Sequence, residues 1–303
     1  MSLEDYRPSG NRRNYVADEG LHVRLNGPIM PEKDVFSKIA SGMKSTWGLD
    51  RDDDLPDPEK EWAAVILGLN GEAFLGAHLE SIPVSFTVIG ASRSFCQQLT
   101  RCRLAGYGHE GTRDTSLINF DFVMPESIHD HEEFNQRSRD LLEEIRNLIE
   151  EMEDAGIPYQ DSSMFAPLGT VSDIVAHTNL RVLFDSWRIR LTNQSKWEIR
   201  NVFMALQLQI LDVWPTIGLW FVAPCELKGS CIANPTLFPP CGKFGHPREG
   251  AEERSHFGKP YRFPASLNPN GKRVEHQRVV ADMMADKRKA LVERARKIMG
   301  VES

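Results

Sequence analysis

TNLRVLFDSWRIRLTNQSKWEIR, Thr178 to Arg200, carries two helix-start signals and four arginines in 23 residues. Asn179 suits a helix N-cap, because its side chain can take a backbone N–H that the first turn leaves unpaired. Leu180, Leu183, Phe184, Trp187 and Leu191 then recur at helical spacing and predict a short helix with one buried stripe. Arg181 and Arg190 are nine residues apart, about two and a half turns, and so face opposite sides of it. One helix can therefore serve two ligands, or two sites across a subunit interface. An amphipathic helix with exposed arginines would look the same locally. Ser195-Lys-Trp-Glu198 has the spacing of a capping box. It opens a longer helix with Trp197, Val202, Phe203, Leu206 and Ile210, ended by Pro215.

Toward the N-terminus lies a second basic segment, ASRSFCQQLTRCRLAGYGHEGTRD, Ala91 to Asp114. With Ser92 to Leu104 helical, Gln98 and Arg101 share a face and Arg103 points elsewhere. A glutamine amide can pair with a uracil edge, and an arginine offers a fork for phosphate. Gly106, Gly108 and Gly111 let backbone N–H groups approach an anion closely. A basic helix running into a turn is the plainer account of the same residues.

The surroundings predict an α/β or α+β domain. Trp62 to Leu69 reads as an apolar helix, preceded by an acidic, proline-broken loop from Arg51 to Lys60. Val84, Phe86 and Val88 alternate with Ser85 and Thr87, as a half-buried strand would, and Thr170 to His177 reads as another with Val171 and Val175 on one face. From Glu132 to Ala155, Phe134, Leu141, Leu142, Ile145, Leu148, Ile149 and Met152 fall on one helical face, stopped by Gly156 and Pro158. A last helix, near Val274 to Met299, ends in basic residues and Gly300. The expected organisation is a polar arm over 1–20, a main domain over 21–223, and an extension over 224–303 that is rich in Pro, Gly and Cys before its helix.

The 303 residues carry a net charge of −7, which argues against general affinity for nucleic acid but not against one nucleotide held by a few arginines. No apolar run approaches a membrane span, and the start, MSLEDYRPSGNRRNY, lacks the apolar core of a secretion signal, so the cytoplasm is the expectation. Five cysteines do not suggest a disulfide framework. Cys225, Cys231, Cys241 and His246 are spaced too widely for a usual structural zinc site, and no metal is expected.

Together, in this order and separation, the two basic segments resemble the flavin-dependent thymidylate synthases. Gln98, Arg101, Arg103 and Arg113 match the family's first block. Asn179, Arg181, Leu183, Arg190, Trp197, Glu198 and Ile199 match its second without a gap, and the turn around His78 and Phe86 looks like a weakened form of a third element. The resemblance runs from about Leu21 to Pro215. It implies a mixed sheet flanked by helices and a homotetramer with flavin sites shared between subunits. It also implies FAD reduced by NADPH, with methylenetetrahydrofolate as carbon donor. By resemblance Gln98, Arg101, Gly111, Arg113 and Arg190 hold the nucleotide. His78, Arg103, Asn179, Arg181, Asp185 and Gln194 hold the flavin, and no enzyme nucleophile is needed.

The departures cluster in the site. Cys102 replaces the middle histidine of the first block, glycines 106, 108 and 111 replace serines and an asparagine, and Asp114 replaces a tyrosine. Ser163 stands where an arginine is expected four residues before Pro167, and Gln194 where a histidine is. Lost side-chain volume at the glycines could admit a ribose 2′-hydroxyl, so UMP, with dUMP, is the expected substrate. That resembles the branch of the family found in peptidyl-nucleoside antibiotic pathways. A non-catalytic nucleotide- or flavin-binding homologue, or a hydroxymethylating variant, are the alternatives.

Overall fold

A computed structural model of the chain describes residues 21–46, 57–72, 75–192, 195–231 and 275–301. The expected N-terminal arm, residues 51–56 of the acidic loop, Gln194 and most of the Pro/Gly/Cys-rich segment lie outside these. In chain order the elements are β1 (His22–Leu25), α1 (Glu32–Thr46), α2 (Pro58–Leu69), a 3-10 turn (Gly76–Ser81), β2 (Pro83–Ile89), α3 (Arg93–Leu99), β3 (Gly106–His109), α4 (Glu126–His129), α5 (Glu132–Asp154), α6 (Tyr159–Ser162), a second 3-10 turn (Ser163–Phe165), β4 (Ile174–Asn179), α7 (Leu180–Arg190), α8 (Trp197–Val213), a third 3-10 turn (Ile217–Trp220), α9 (Pro224–Lys228) and α10 (Glu275–Met299). This is the mixed helix-and-sheet class expected from the sequence.

The four strands lie in the order β1-β2-β4-β3. Leu180 N–H donates to Ile82 O at 2.9 Å and Ser172 N–H to Ala91 O at 2.7 Å, so β2 and β4 run in opposite directions. Asn26 on Ser85 and Glu110 on Asp173 set the outer pairs the same way, and the sheet is antiparallel where the resemblance implied a mixed one. The chain divides into two compact units: described residues 21–24 and 86–176 form the first, and the remainder the second.

In the first unit, α5 covers a cluster of Leu117, Phe120, Met124, Leu142 and Ile149. Arg146 is buried there, donating through Nε (3.3 Å) and Nη2 (3.0 Å) to the Phe120 carbonyl, with its guanidinium 4.8 Å from the Phe120 ring. The predicted α5 stripe is only half used: Leu142 and Ile149 are buried, whereas Phe134, Leu141 and Leu148 are exposed. Those three are spaced by seven residues and form a seam of their own.

In the second unit, α1 buries Val35, Phe36, Ile39 and Met43, and packs on α2. The predicted α7 stripe holds for Leu180, Leu183, Phe184 and Trp187, while Leu191 falls at the helix cap and is half-buried; Trp187 meets Phe203 of α8 at 4.9 Å and Phe221 at 4.8 Å between ring centroids. Helix α10 runs along α2, burying Met284, Val292 and Ala295, and closes as predicted at Gly300, whose φ is 66°. Buried Arg288 fastens it by donating to the Leu219 carbonyl at 2.6 Å.

Several local expectations shift. Helix α2 begins at Pro58, inside the expected loop, because the Asp57 carboxylate caps it by accepting the Glu59 N–H at 3.0 Å. Helix α8 starts after Lys196 without a side-chain cap, since the Ser195 hydroxyl donates instead to Ile189 O at 2.9 Å. β4 begins at Ile174, and Ile174 and Ala176 rather than Val171 and Val175 face the core. Helix α3 stops at Leu99, short of the expected Leu104. Thr100 Oγ1 donates back to Cys96 O at 3.0 Å, and Leu104 adopts a left-handed φ of 63° that an α-helix excludes.

Candidate functional site

The first unit holds most residues read for the nucleotide. Ser92 ends the run from β2, and its hydroxyl accepts the Phe95 N–H at 3.1 Å to start α3. Gln98 lies on this helix, half-buried, with its amide nitrogen 3.5 Å from the Ser94 carbonyl. Arg101 sits in the turn after α3, so the shared helical face expected for Gln98 and Arg101 does not form. Arg101, Arg103 and Arg113 are all exposed, a concentration of positive charge on a chain of net charge −7. The turn is stapled by Tyr107 of β3, whose single hydroxyl proton is shared between the carbonyls of Cys102 (2.6 Å) and Leu99 (3.0 Å). No sequence period marks that contact. Gly108 and Gly111 have open space where a Cβ would stand, with nothing within 4 Å and no left-handed φ, so neither packing nor backbone strain accounts for these glycines.

The second unit holds four of the residues read for the flavin, His78, Asn179, Arg181 and Asp185, whereas Arg103 belongs to the first unit and Gln194 lies outside the described residues. Asn179 caps α7 as expected, its Oδ1 accepting the Val182 N–H at 3.0 Å. One turn on, Arg181 Nε donates to Asp185 Oδ2 at 2.8 Å. His78 lies on the first 3-10 turn, which packs on both α1 and α7. Its Nε2 is 3.0 Å from Thr46 Oγ1, and Gly42 opposite leaves the imidazole room that a side chain would take. Since the Leu180 N–H also reaches Ile82, next to that turn, His78, Asn179, Arg181 and Asp185 occupy adjoining elements. Arg190 is in the last turn of α7, half-buried.

Thr178 Oγ1 is buried beside this set with no hydrogen-bond partner among the described residues. A buried hydroxyl left unpaired costs about 1–3 kcal/mol, so a ligand atom there is favoured. A hydroxyl, an imidazole, a carboxamide and a guanidinium are donors suited to the phosphates and ring carbonyls of a flavin nucleotide, and the set fits that group. Among the described residues no His, Cys, Asp and Glu side chains gather as metal ligands, and Cys241 and His246 lie outside them. No helix among the described residues is long and apolar enough to cross a membrane.

The sequence pattern of the thymidylate synthase complementing proteins matches residues 59–216. The flavin-dependent thymidylate synthase of Pyrococcus furiosus is 28% identical over 186 residues, covering 59% of this chain and 75% of that protein. That of Pyrococcus abyssi is 30% identical over 186 residues with the same coverage, 59% and 75%. In fold the chain is similar to the crystal structure of a UMP/dUMP methylase from Streptomyces cacaoi bound with 5-bromo-dUMP. The TM-score is 0.57 at 18% identity, over 67% of this chain and 97% of that one.

Proposed function

The chain belongs to the thymidylate synthase complementing protein family, the flavin-dependent thymidylate synthases, and from that premise we propose that it methylates C5 of a uridine nucleotide, UMP as well as dUMP. FAD reduced by NADPH supplies the hydride, and methylenetetrahydrofolate the carbon, of a methyl group that replaces the C5 hydrogen, which leaves as a proton. The protein's task is positioning rather than covalent catalysis. Gln98 pairs with the uracil edge. Arg101, Arg113 and Arg190 neutralise the phosphate, and the Gly111 backbone passes close to the ligand. His78, Arg103, Asn179, Arg181, Asp185 and Gln194 hold the flavin.

The observation that carries the ribonucleotide reading is the open space at Gly108 and Gly111. Serine-sized side chains at these positions would fill a volume that the surrounding protein leaves empty. A ribose bears one hydroxyl more than deoxyribose, and a pocket that only tolerates it discriminates by about a hundredfold at most. Use of both sugars follows. The exposed seam of Phe134, Leu141 and Leu148, with Met164, Phe165 and Leu168 also exposed, supports the homo-oligomer that the resemblance implies, a homotetramer, as apolar surface of that kind is usually covered by a partner.

The test is turnover of UMP and dUMP side by side with FAD, NADPH and methylenetetrahydrofolate, read by product mass. A methyl gain with both nucleotides, UMP used within about a hundredfold of dUMP, supports the proposal. Product from dUMP alone makes the chain an ordinary thymidylate synthase, a hydroxymethyl mass shifts the product class, and bound flavin without product points to a binding protein.

A further inference from the structure

Arg93 is buried at its Nε and Nη2 atoms, and neither has a hydrogen-bond partner among the described residues. These two nitrogens form the side-on edge of the guanidinium, which takes an oxyanion through two parallel bonds. The hydroxyls of Thr170 and Ser172 are in the same condition, fully buried and unpartnered. The backbone brings the three together. Ser92 and Val171 form an antiparallel bridge, Arg93 N–H donates to Thr170 O at 2.9 Å, and Ser172 N–H donates to Ala91 O at 2.7 Å. Thr170 and Ser172 therefore stand on the face of this ladder that Arg93 shares, opposite to Val171.

Four N–H and O–H donors without acceptors, two of them on a cationic guanidinium, are costly to leave in a folded protein unless something fills them. We infer that Arg93, with Thr170 and Ser172, is a phosphate-binding element of the nucleotide site, additional to the arginines already assigned. A phosphate monoester matches the donors better than a carboxylate, because it offers three oxygens to a fork and two hydroxyls. The location agrees: Arg93 opens α3, the helix of Gln98, and its backbone bonds Thr170, at the end of the stretch in which Ser163 stands where an arginine is expected. The identity of the phosphate as the nucleotide's rests on the function proposed above; the phosphate site itself does not.

The experiment compares Arg93→Met and Arg93→Lys with the unmodified chain. Inorganic phosphate should raise the melting temperature of the unmodified protein and not that of Arg93→Met. Without phosphate, Arg93→Met should melt no lower than the unmodified protein, since an unpaired buried charge has been removed. UMP affinity should fall about ten- to a hundredfold in Arg93→Met while uridine affinity is unchanged, and Arg93→Lys, with the charge but not the fork, should fall between. The inference is overturned if Arg93→Met keeps the phosphate shift, if UMP and uridine weaken alike, or if FAD affinity falls in place of UMP affinity. Failure of the unmodified protein to bind any uridine nucleotide would defeat the proposed function, yet the phosphate melts would still decide the role of Arg93.

Discussion

Replacing Gly42 by alanine separates the flavin reading of His78 from a merely structural one. A Cβ at position 42 would press on Nδ1 of His78 and stand 2.9 Å from its Cγ and 3.2 Å from its Cε1, so the ring must turn away. On stability the effects nearly cancel. Alanine favours the α1 helix by about 1 kcal/mol. Against this stand about 0.5–1.5 kcal/mol for an off-rotamer imidazole and about 1 kcal/mol for the lost Thr46–His78 bond, which is 3.0 Å long. The net loss is about 0.5–1.5 kcal/mol, a melting shift of only a few degrees. For the ligand nothing cancels. One misplaced hydrogen bond of about 1 kcal/mol weakens FAD by about three- to tenfold. The assay is a flavin-fluorescence titration of Gly42→Ala, His78→Ala and the double variant. In the His78→Ala background, Gly42→Ala should leave FAD affinity unchanged and stabilise the fold by about 1 kcal/mol, the helix term alone. Equal FAD penalties in both backgrounds would show that Gly42 does not act on the flavin through His78.

Three further outcomes are expected. Tyr107→Phe removes the hydroxyl that ties Leu99 and Cys102, and should cost about 1 kcal/mol by urea titration while raising KM for UMP a few-fold through the loosened Arg101 turn. Arg288→Met strips the Leu219 carbonyl of its buried charged donor, so unfolding stability should fall by about 1–3 kcal/mol with FAD affinity unaltered; an unchanged urea midpoint would show that α10 is not fastened there. Glu72 is held below the ordinary carboxylate value chiefly by its hydrogen bond from Arg296, and a depressed folded value means a contribution present above the unfolded value of about 4.3 and lost as pH falls through the folded one. The stability gap between the unmodified protein and Glu72→Gln should thus be constant near neutrality and close in acid, as a pH series of melts would reveal.

Much of the fold was legible because it is local. The 3.6-residue period of α5, α7 and α8, the basic last turn and Gly300 of α10, and the Asn179 cap need only neighbours along the chain. What the sequence concealed depends on contacts between distant residues. Helix α3 looks able to continue to Leu104, and only Tyr107 and the Thr100 hydroxyl, together with the left-handed turn, reveal why it stops. Periodicity marked Phe134, Leu141 and Leu148 as core, since it reports an apolar face and not what covers it. The candidate site followed the same rule. Order and spacing singled out Gln98, Arg101, Asn179 and Arg181 as candidates, whereas Arg93 and Gly42 gain their meaning from Thr170 and His78, which no local pattern links to them.

Exchange of the C5 hydrogen of a uridine ribonucleotide for a methyl group releases that hydrogen to water, so tritium release from UMP labelled at C5 is the decisive assay, with methylenetetrahydrofolate present or withheld. Folate-dependent release matched by 5-methyl-UMP is expected, at a rate within about a hundredfold of that with labelled dUMP, the limit for a pocket that tolerates the added hydroxyl. Release from dUMP alone, with none from UMP at saturating concentration, would exclude ribonucleotide methylation.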